Sequence, residues 1–151
     1  MLWKGENKRI HRRKNIPLRR EWINKWKLYT PRANNIGTEL NDNNLNSFIG
    51  EPGTICTESY LVIGGNENLD KESCLNISKF LKTKFARYMH SLAKAGQDAT
   101  AKTYKYVPLQ NFKNNSDINW ELEISEIDNL LFTKYELTKQ EIEHIMKKIS
   151  I

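Results

Sequence analysis

The pattern of hydrophobic and polar positions predicts three strands in the middle of the chain. β-Branched and aromatic residues cluster at 54–63 and end at two glycines, which indicates the longest strand. A shorter strand is expected at 27–31, after a helical turn around Trp22. Residues 103–107 alternate in character and are followed by a proline, which predicts another strand.

A long amphipathic helix is predicted between the strands at 54–63 and 103–107. Apolar residues recur at helical spacing from Asp70 or Ser73, either of which can cap the helix, to about Ala93. The apolar stripe comprises Ile77, Phe80, Leu81, Phe85, Tyr88 and Leu92. Basic residues on a second face are Lys84, Arg87 and Lys94. We expect these basic side chains to be able to meet phosphates without disturbing the core.

Residues 116–151 predict a helical hairpin. Thr138 and Glu141 form a capping box, and Ser125 stands three residues before Asp128 ahead of another apolar stripe. The segment holds 4 basic and 8 acidic residues, which favours packing or a protein partner over a DNA-binding helix-turn-helix. The elements together predict an α+β fold with a mixed β-sheet, a long packed helix and a C-terminal helical hairpin.

Positive charge is concentrated at the start of the chain. Residues 1–27 hold 10 Lys and Arg against 2 Glu, whereas the whole chain has a net charge of +6. Such density attracts a polyanion, and nucleic acid is the commonest one; the alternative is a solvated tail or a subunit edge. We therefore divide the chain into a basic arm (1–20), an α/β region (21–115) and an acidic helical hairpin (116–151).

Composition excludes several classes of protein. The chain is 38% hydrophobic and 10% aromatic, which argues against full disorder. It has neither an apolar run long enough to span a membrane nor the apolar region of a secretory signal. Its two cysteines, Cys56 and Cys74, make no disulfide framework, which fits a reducing compartment. We expect a cytoplasmic protein.

Motifs for catalysis are missing from the sequence. The 7 glycines never form Gly-x-Gly, and none of the 4 prolines are adjacent, so the cofactor turn and base-holding loop of a DNA methyltransferase are absent. Glu6-Asn7-Lys8 has the acid-x-Lys form of a nuclease metal site but stands without partner acids. Cys56, Cys74 and His90 are too scattered for zinc. We expect no cofactor, no metal site and no activity of the chain alone.

A series of motifs in a fixed order gives the sequence a family resemblance. They are Lys25-Trp26-Lys27, Pro31-Arg32-Ala33, Thr57-Glu58-Ser59-Tyr60-Leu61-Val62-Ile63-Gly64, Thr83-Lys84-Phe85-Ala86-Arg87, Gln97-Asp98-Ala99-Thr100, Tyr104-Lys105-Tyr106-Val107-Pro108-Leu109-Gln110-Asn111-Phe112 and Tyr135-Glu136-Leu137-Thr138-Lys139-Gln140-Glu141-Ile142. Over about residues 22–147 the chain resembles the C-terminal TaqI-like specificity (target-recognition) domain of bacterial restriction-modification DNA methyltransferases.

The resemblance implies a function in DNA recognition. In that family this region recognises the DNA sequence, while a separate upstream domain binds S-adenosylmethionine and transfers the methyl group to adenine. The chain would then be the double-stranded-DNA-binding part of a methyltransferase or restriction endonuclease, working with such a domain or subunit. The arm at 1–20 does not match the family, and the ending at 146–151 is shorter than is usual there.

The residues suited to DNA contact fall into two groups. Lys and Arg bind phosphates, whereas amides, carboxylates and Arg contact base edges. The phosphate candidates are Lys84, Arg87, Lys94, Lys102 and Lys105, and the base candidates are Arg32, Asn34, Asn35, Gln97 and Asp98. Asn34 and Asn35 open a loop with six Asn residues, a composition typical of binding loops.

Two other functions stay open. A protein-interaction subunit would use the acidic hairpin to dock a methyltransferase or nuclease partner, with the arm only solvated. A small nuclease would depend on Glu6-Asn7-Lys8 alone. The salt dependence of affinity distinguishes a protein-interaction subunit from a DNA-binding one, because binding through several phosphates weakens steeply as the salt concentration rises.

Overall fold

The structure is a computed structural model, and it describes residues 19–33, 47–96 and 98–149. Within these ranges it has an α+β fold, as predicted, with one three-stranded sheet and four α-helices. The strands are β1 (Lys27–Pro31), β2 (Phe48–Gly50) and β3 (Tyr60–Ile63). The helices are α1 (Lys71–Lys82), α2 (Lys84–Ser91), α3 (Ile124–Lys134) and α4 (Lys139–Lys148), with 3₁₀ helices at Arg20–Trp22 and Ala101–Tyr104. None of the described helices is long and apolar enough to cross a membrane.

The sheet has the order β2-β1-β3, with β1 in the centre. β1 occupies the predicted residues and pairs antiparallel with both neighbours, so the described sheet is antiparallel rather than mixed. The strand predicted at 54–63 is reduced to β3. Its first half is a loop that ends in a turn, in which the amide of Tyr60 donates to the carbonyl of Thr57 at 3.2 Å.

The predicted long helix is two helices that meet at Thr83. Thr83 has an extended backbone, and its hydroxyl accepts a hydrogen bond from the amide of Ala86, which caps α2. The same hydroxyl donates to the carbonyl of Phe80 at the end of α1. Thr is a good N-cap residue, and this capping outweighs the continuous apolar stripe of the sequence.

The predicted strand at 103–107 is wrong. Residues Ala101–Tyr104 form a 3₁₀ helix that begins with a reciprocal capping box between Thr100 and Thr103. The side chain of Thr103, a β-branched residue of the predicted strand, therefore bonds to the local backbone, as Ser and Thr often do outside regular structure.

The helical hairpin is confirmed as α3 and α4. The capping box of Thr138 and Glu141 is present, with the Glu141 carboxylate 2.7 Å from the Thr138 amide. α3 begins earlier than predicted, at a capping box of Glu123 with Glu126. The hairpin shares one hydrophobic core with the sheet, α1 and α2. Members of that core include Leu28, Phe80, Phe85, Trp120, Ile127, Leu131 and Ile145.

Candidate nucleic-acid interface

The end of β1 lies against the segment that follows α2. The amide of Ala99 donates to the carbonyl of Arg32 at 2.6 Å, and Ala33 and Asp98 form an isolated antiparallel bridge. On the other side, the amide of Arg32 donates to the carbonyl of Ser59 at 2.9 Å. Ala33 and Asp98 are 65 positions apart in sequence, so two distant motifs meet at one place, and each contains at least one predicted base-contacting residue.

Tyr104 is a second anchor for this segment. Its hydroxyl hydrogen-bonds to Thr30 of β1, while burial raises its pKa. Its ring stacks on His90 of α2, with a centroid distance of 3.9 Å. Tyr104 therefore joins the 3₁₀ helix Ala101–Tyr104 to both the sheet and α2.

A buried hydrogen-bond network supports the same 3₁₀ helix. Nε2 of His90 lies 2.7 Å from the hydroxyl of Thr103. That hydroxyl donates its proton to the carbonyl of Thr100, so it accepts from His90, and the neutral ring carries its hydrogen on Nε2. Burial, with a smaller contribution from the charge of Lys94, lowers the pKa of His90 to about 4. His90 is therefore neutral near pH 7 and acts as a structural donor.

The charged side chains around this junction define what we call the junction surface: Arg32, Lys94, Asp98, Lys102 and Lys105. Lys102, Lys105 and Asp98 are exposed. Burial lowers the pKa of Lys94, and the neighbouring charge of Asp98 opposes that shift. The ammonium of Lys105 lies 4.6 Å from the ring centroid of Tyr106, which is 47% exposed. These exposed cations are able to bind phosphates, and Asp98 is able to accept a hydrogen bond from a base.

Lys84 is not part of the junction surface. It begins α2, whereas Lys94 follows the other end, and an eight-residue helix spans about 12 Å. The backbone amide of Lys84 donates to the carboxylate of Asp128 at 2.9 Å. Any phosphate contact of Lys84 would be separate from those of the junction surface.

The prediction that Arg87 faces solvent is wrong. Arg87 is 2% exposed, and its charge lies close enough to Asp128 to influence the pKa of that carboxyl. The reason is that α2 packs against α1, α3, α4 and the 3₁₀ helix Ala101–Tyr104, which leaves little of its surface open. Arg87 therefore belongs to the interior and is not accessible to a phosphate.

Asn34, Asn35 and Gln97 lie outside the described residues. In the sequence, however, Asn34 directly follows Ala33, and Gln97 directly precedes Asp98. Two of the three predicted amides are thus next in sequence to the two residues of the bridge.

The supporting residues His90, Thr103 and Tyr104 were not predicted as parts of a site. Their roles depend on a tertiary contact between α2 and the 3₁₀ helix. Thr100 and Thr103 stand three apart, a capping spacing, and this was the one local signal that marked the turn.

Neither a metal-binding cluster nor a thiol with a lowered pKa is found among the described residues. They contain no cluster of His, Cys, Asp and Glu that could hold a metal ion. Burial, reinforced by Asp70, raises the pKa of Cys74 to about 11, and burial also raises the pKa of Cys56. Both thiols are therefore poor nucleophiles near pH 7.

No protein-family model, curated protein or solved structure matches the chain.

Proposed function

We propose that this chain binds double-stranded DNA and recognises its sequence. It is the non-catalytic target-recognition part of a restriction-modification methyltransferase or endonuclease. The observation that supports this most directly is the bridge between Ala33 and Asp98, beside the hydrogen bond from Ala99 to Arg32. It brings the motifs at 31–33 and 97–100 together, although neither alone is a signature.

Charge and composition support DNA as the partner. Lys102 and Lys105 are exposed on a turn that Tyr104 fixes to β1, so they are presented from a supported backbone. A DNA interface combines such cations with amides and carboxylates for base edges. The net charge of +6 favours association with a polyanion. The resemblance to TaqI-like specificity domains adds the restriction-modification context.

The test is the affinity of the full chain for labelled duplex DNA at two salt concentrations. Replacing Lys102 and Lys105 together by Ala should weaken binding to every duplex and lower the salt slope by about two, because each phosphate contact contributes about one. The matched control replaces Lys139 and Lys147 by Ala, because both lysines are exposed on α4 and their replacement removes the same amount of charge. The control should leave the salt slope unchanged.

The results distinguish DNA binding at this surface from general attraction. If both double variants lose affinity equally, only net charge matters and the junction surface has no special role. If the parent chain binds duplex DNA no more weakly at high salt than at low salt, the proposal is wrong. Binding to a partner protein with an affinity that does not change with salt would then favour the alternative function, a protein-interaction subunit.

A further inference from the structure

A groove runs along the outer edge of β3. Its volume is about 420 Å³, and its lining residues include Trp22, Val62, Phe80, Leu81, Val107 and Leu109. Glu67 is the one charged residue among the described residues that line it. None of the residues of the junction surface lines the groove, although Ala101 and Tyr104 of the neighbouring 3₁₀ helix do.

The outer edge of β3, whose residues line this groove, has unused backbone hydrogen-bonding groups. β3 pairs with β1 on one side only. The amide of Arg32 donates to Ser59, and the register continues through Pro31 opposite Tyr60 to Tyr29 opposite Val62. Since inward and outward residues alternate in an antiparallel pair, the N–H and C=O of Val62 point away from β1.

The outward groups of Val62 have no backbone partner within the described ranges. By contrast, the outward amide of Tyr60 already donates to Thr57. An edge with unused N–H and C=O groups is a template for another strand. An extended segment would therefore satisfy the free hydrogen-bonding groups of this edge.

The side chains around the groove specify an apolar occupant. Leu61, Val62 and Ile63 are half-buried, and the floor is formed by apolar residues of α1. Leu109, on the opposite wall, is 86% exposed. An exposed leucine beside a continuous apolar surface marks a contact site, because a partner would remove that area from water.

A second segment of the chain lines the same groove. The segment with Val107 and Leu109 stands opposite the edge of β3. A strand added to the edge of β3 would lie about 4.8 Å from it, within the groove that Val107 and Leu109 also line.

We propose that this groove binds an extended, apolar segment of a partner protein, which adds to β3 as a fourth strand through the N–H and C=O of Val62. Alternate side chains of the segment enter the groove, and a Lys or Arg at one end pairs with Glu67. This site goes beyond DNA recognition and gives the chain a means to attach to another protein.

The test uses a blocked synthetic peptide in which three valines alternate with threonines between terminal lysines. Its control is the same peptide with every valine and threonine N-methylated, so that none of these residues donates a hydrogen bond to an edge strand. Amide hydrogen exchange of the full chain, followed by NMR, reports on individual residues. The first peptide should slow exchange at Val62 and leave Leu61 and Ile63 unchanged, because these already face β1.

A pair of variants tests the apolar contact. Leu109→Ser should weaken peptide binding about tenfold, since a buried leucine contact is lost. Leu75→Ser is the control, because Leu75 is exposed on α1 and does not line the groove. The proposal is overturned if the methylated peptide binds equally, if neither peptide binds at millimolar concentration, or if Val62 becomes protected by concentration-dependent dimerisation of the chain alone.

Discussion

Oδ1 of Asp128, on α3, accepts a hydrogen bond at 2.9 Å from the backbone amide of Phe85, 43 residues earlier. Oδ2 accepts from the amide of Lys84 at the same distance. A side chain of the hairpin thus caps the first turn of α2. Burial raises the pKa of Asp128, while these two hydrogen bonds and the charges of Lys84 and Arg87 oppose the shift. The start of α2 therefore depends on the docked hairpin.

We predict that Asp128→Ala lowers the free energy of unfolding by about 2–3 kcal/mol, because the buried amide of Phe85 and the part-buried amide of Lys84 lose their acceptor. Asp128→Asn should cost less, since its carbonyl oxygen still accepts one of them. Ser125→Ala is the control, because Ser125 is exposed on the same helix. Urea denaturation measures all three. Equal stability of Asp128→Ala and the parent chain would mean that the cap contributes nothing.

His90 should make stability depend on pH. In the unfolded chain it takes up a proton near pH 6.5, but in the fold only near pH 4. The unfolded state binds more protons between these values, so stability falls as pH is lowered from 6.5 to 4, by at most about 3 kcal/mol. Above pH 6.5 this contribution is fully present.

The measurement is the urea midpoint of the parent and of His90→Gln between pH 4 and 7. Glutamine keeps an N–H donor for Thr103 but does not titrate, so the variant should lose most of this slope. His144→Gln is the control, because His144 is exposed on α4. If His90→Gln keeps the full slope of the parent, other groups cause it.

Lys79 connects α1 to the segment before α3 through hydrogen bonds. Its ammonium donates to the carbonyls of Trp120 at 2.9 Å, Glu121 at 3.2 Å and Leu122 at 2.9 Å. We predict that Lys79→Met costs about 2 kcal/mol of stability, because hydrogen bonds to a charged group are lost. Lys82→Met should change stability by less than about 0.5 kcal/mol, since Lys82 makes no side-chain hydrogen bond that the described structure records. Equal urea midpoints for the two variants would contradict this.

The parts predicted correctly are those that local sequence determines. β1 was predicted at its observed residues because a short apolar run follows the turn at Trp22. The capping box at Thr138 and Glu141 needs only two side chains three residues apart. The same locality explains why α3 and α4 were recognised as a hairpin.

The parts predicted wrongly depend on contacts that are distant in sequence. The break at Thr83 is supported by Asp128, which lies on another helix, and the stripe of apolar residues gave no sign of it. The burial of Arg87 follows from four elements that pack around α2. For the candidate interface, the residue types were chosen from sequence, but the meeting of Ala33 with Asp98 is a tertiary contact.

The final prediction separates contacts with bases from contacts with phosphates. Gln97→Ala and Asn34→Ala, next in sequence to the bridge of Asp98 with Ala33, should chiefly reduce preference for the recognised site, because an amide bonded to a base edge discriminates by about 1–3 kcal/mol. Selection from a pool of randomised duplexes first identifies the site bound by the parent chain. Each variant is then titrated with that duplex and a scrambled one. The affinity ratio should fall about tenfold or more, while binding to the scrambled duplex stays near the parent value. A variant that loses both affinities equally would place its amide against phosphate instead.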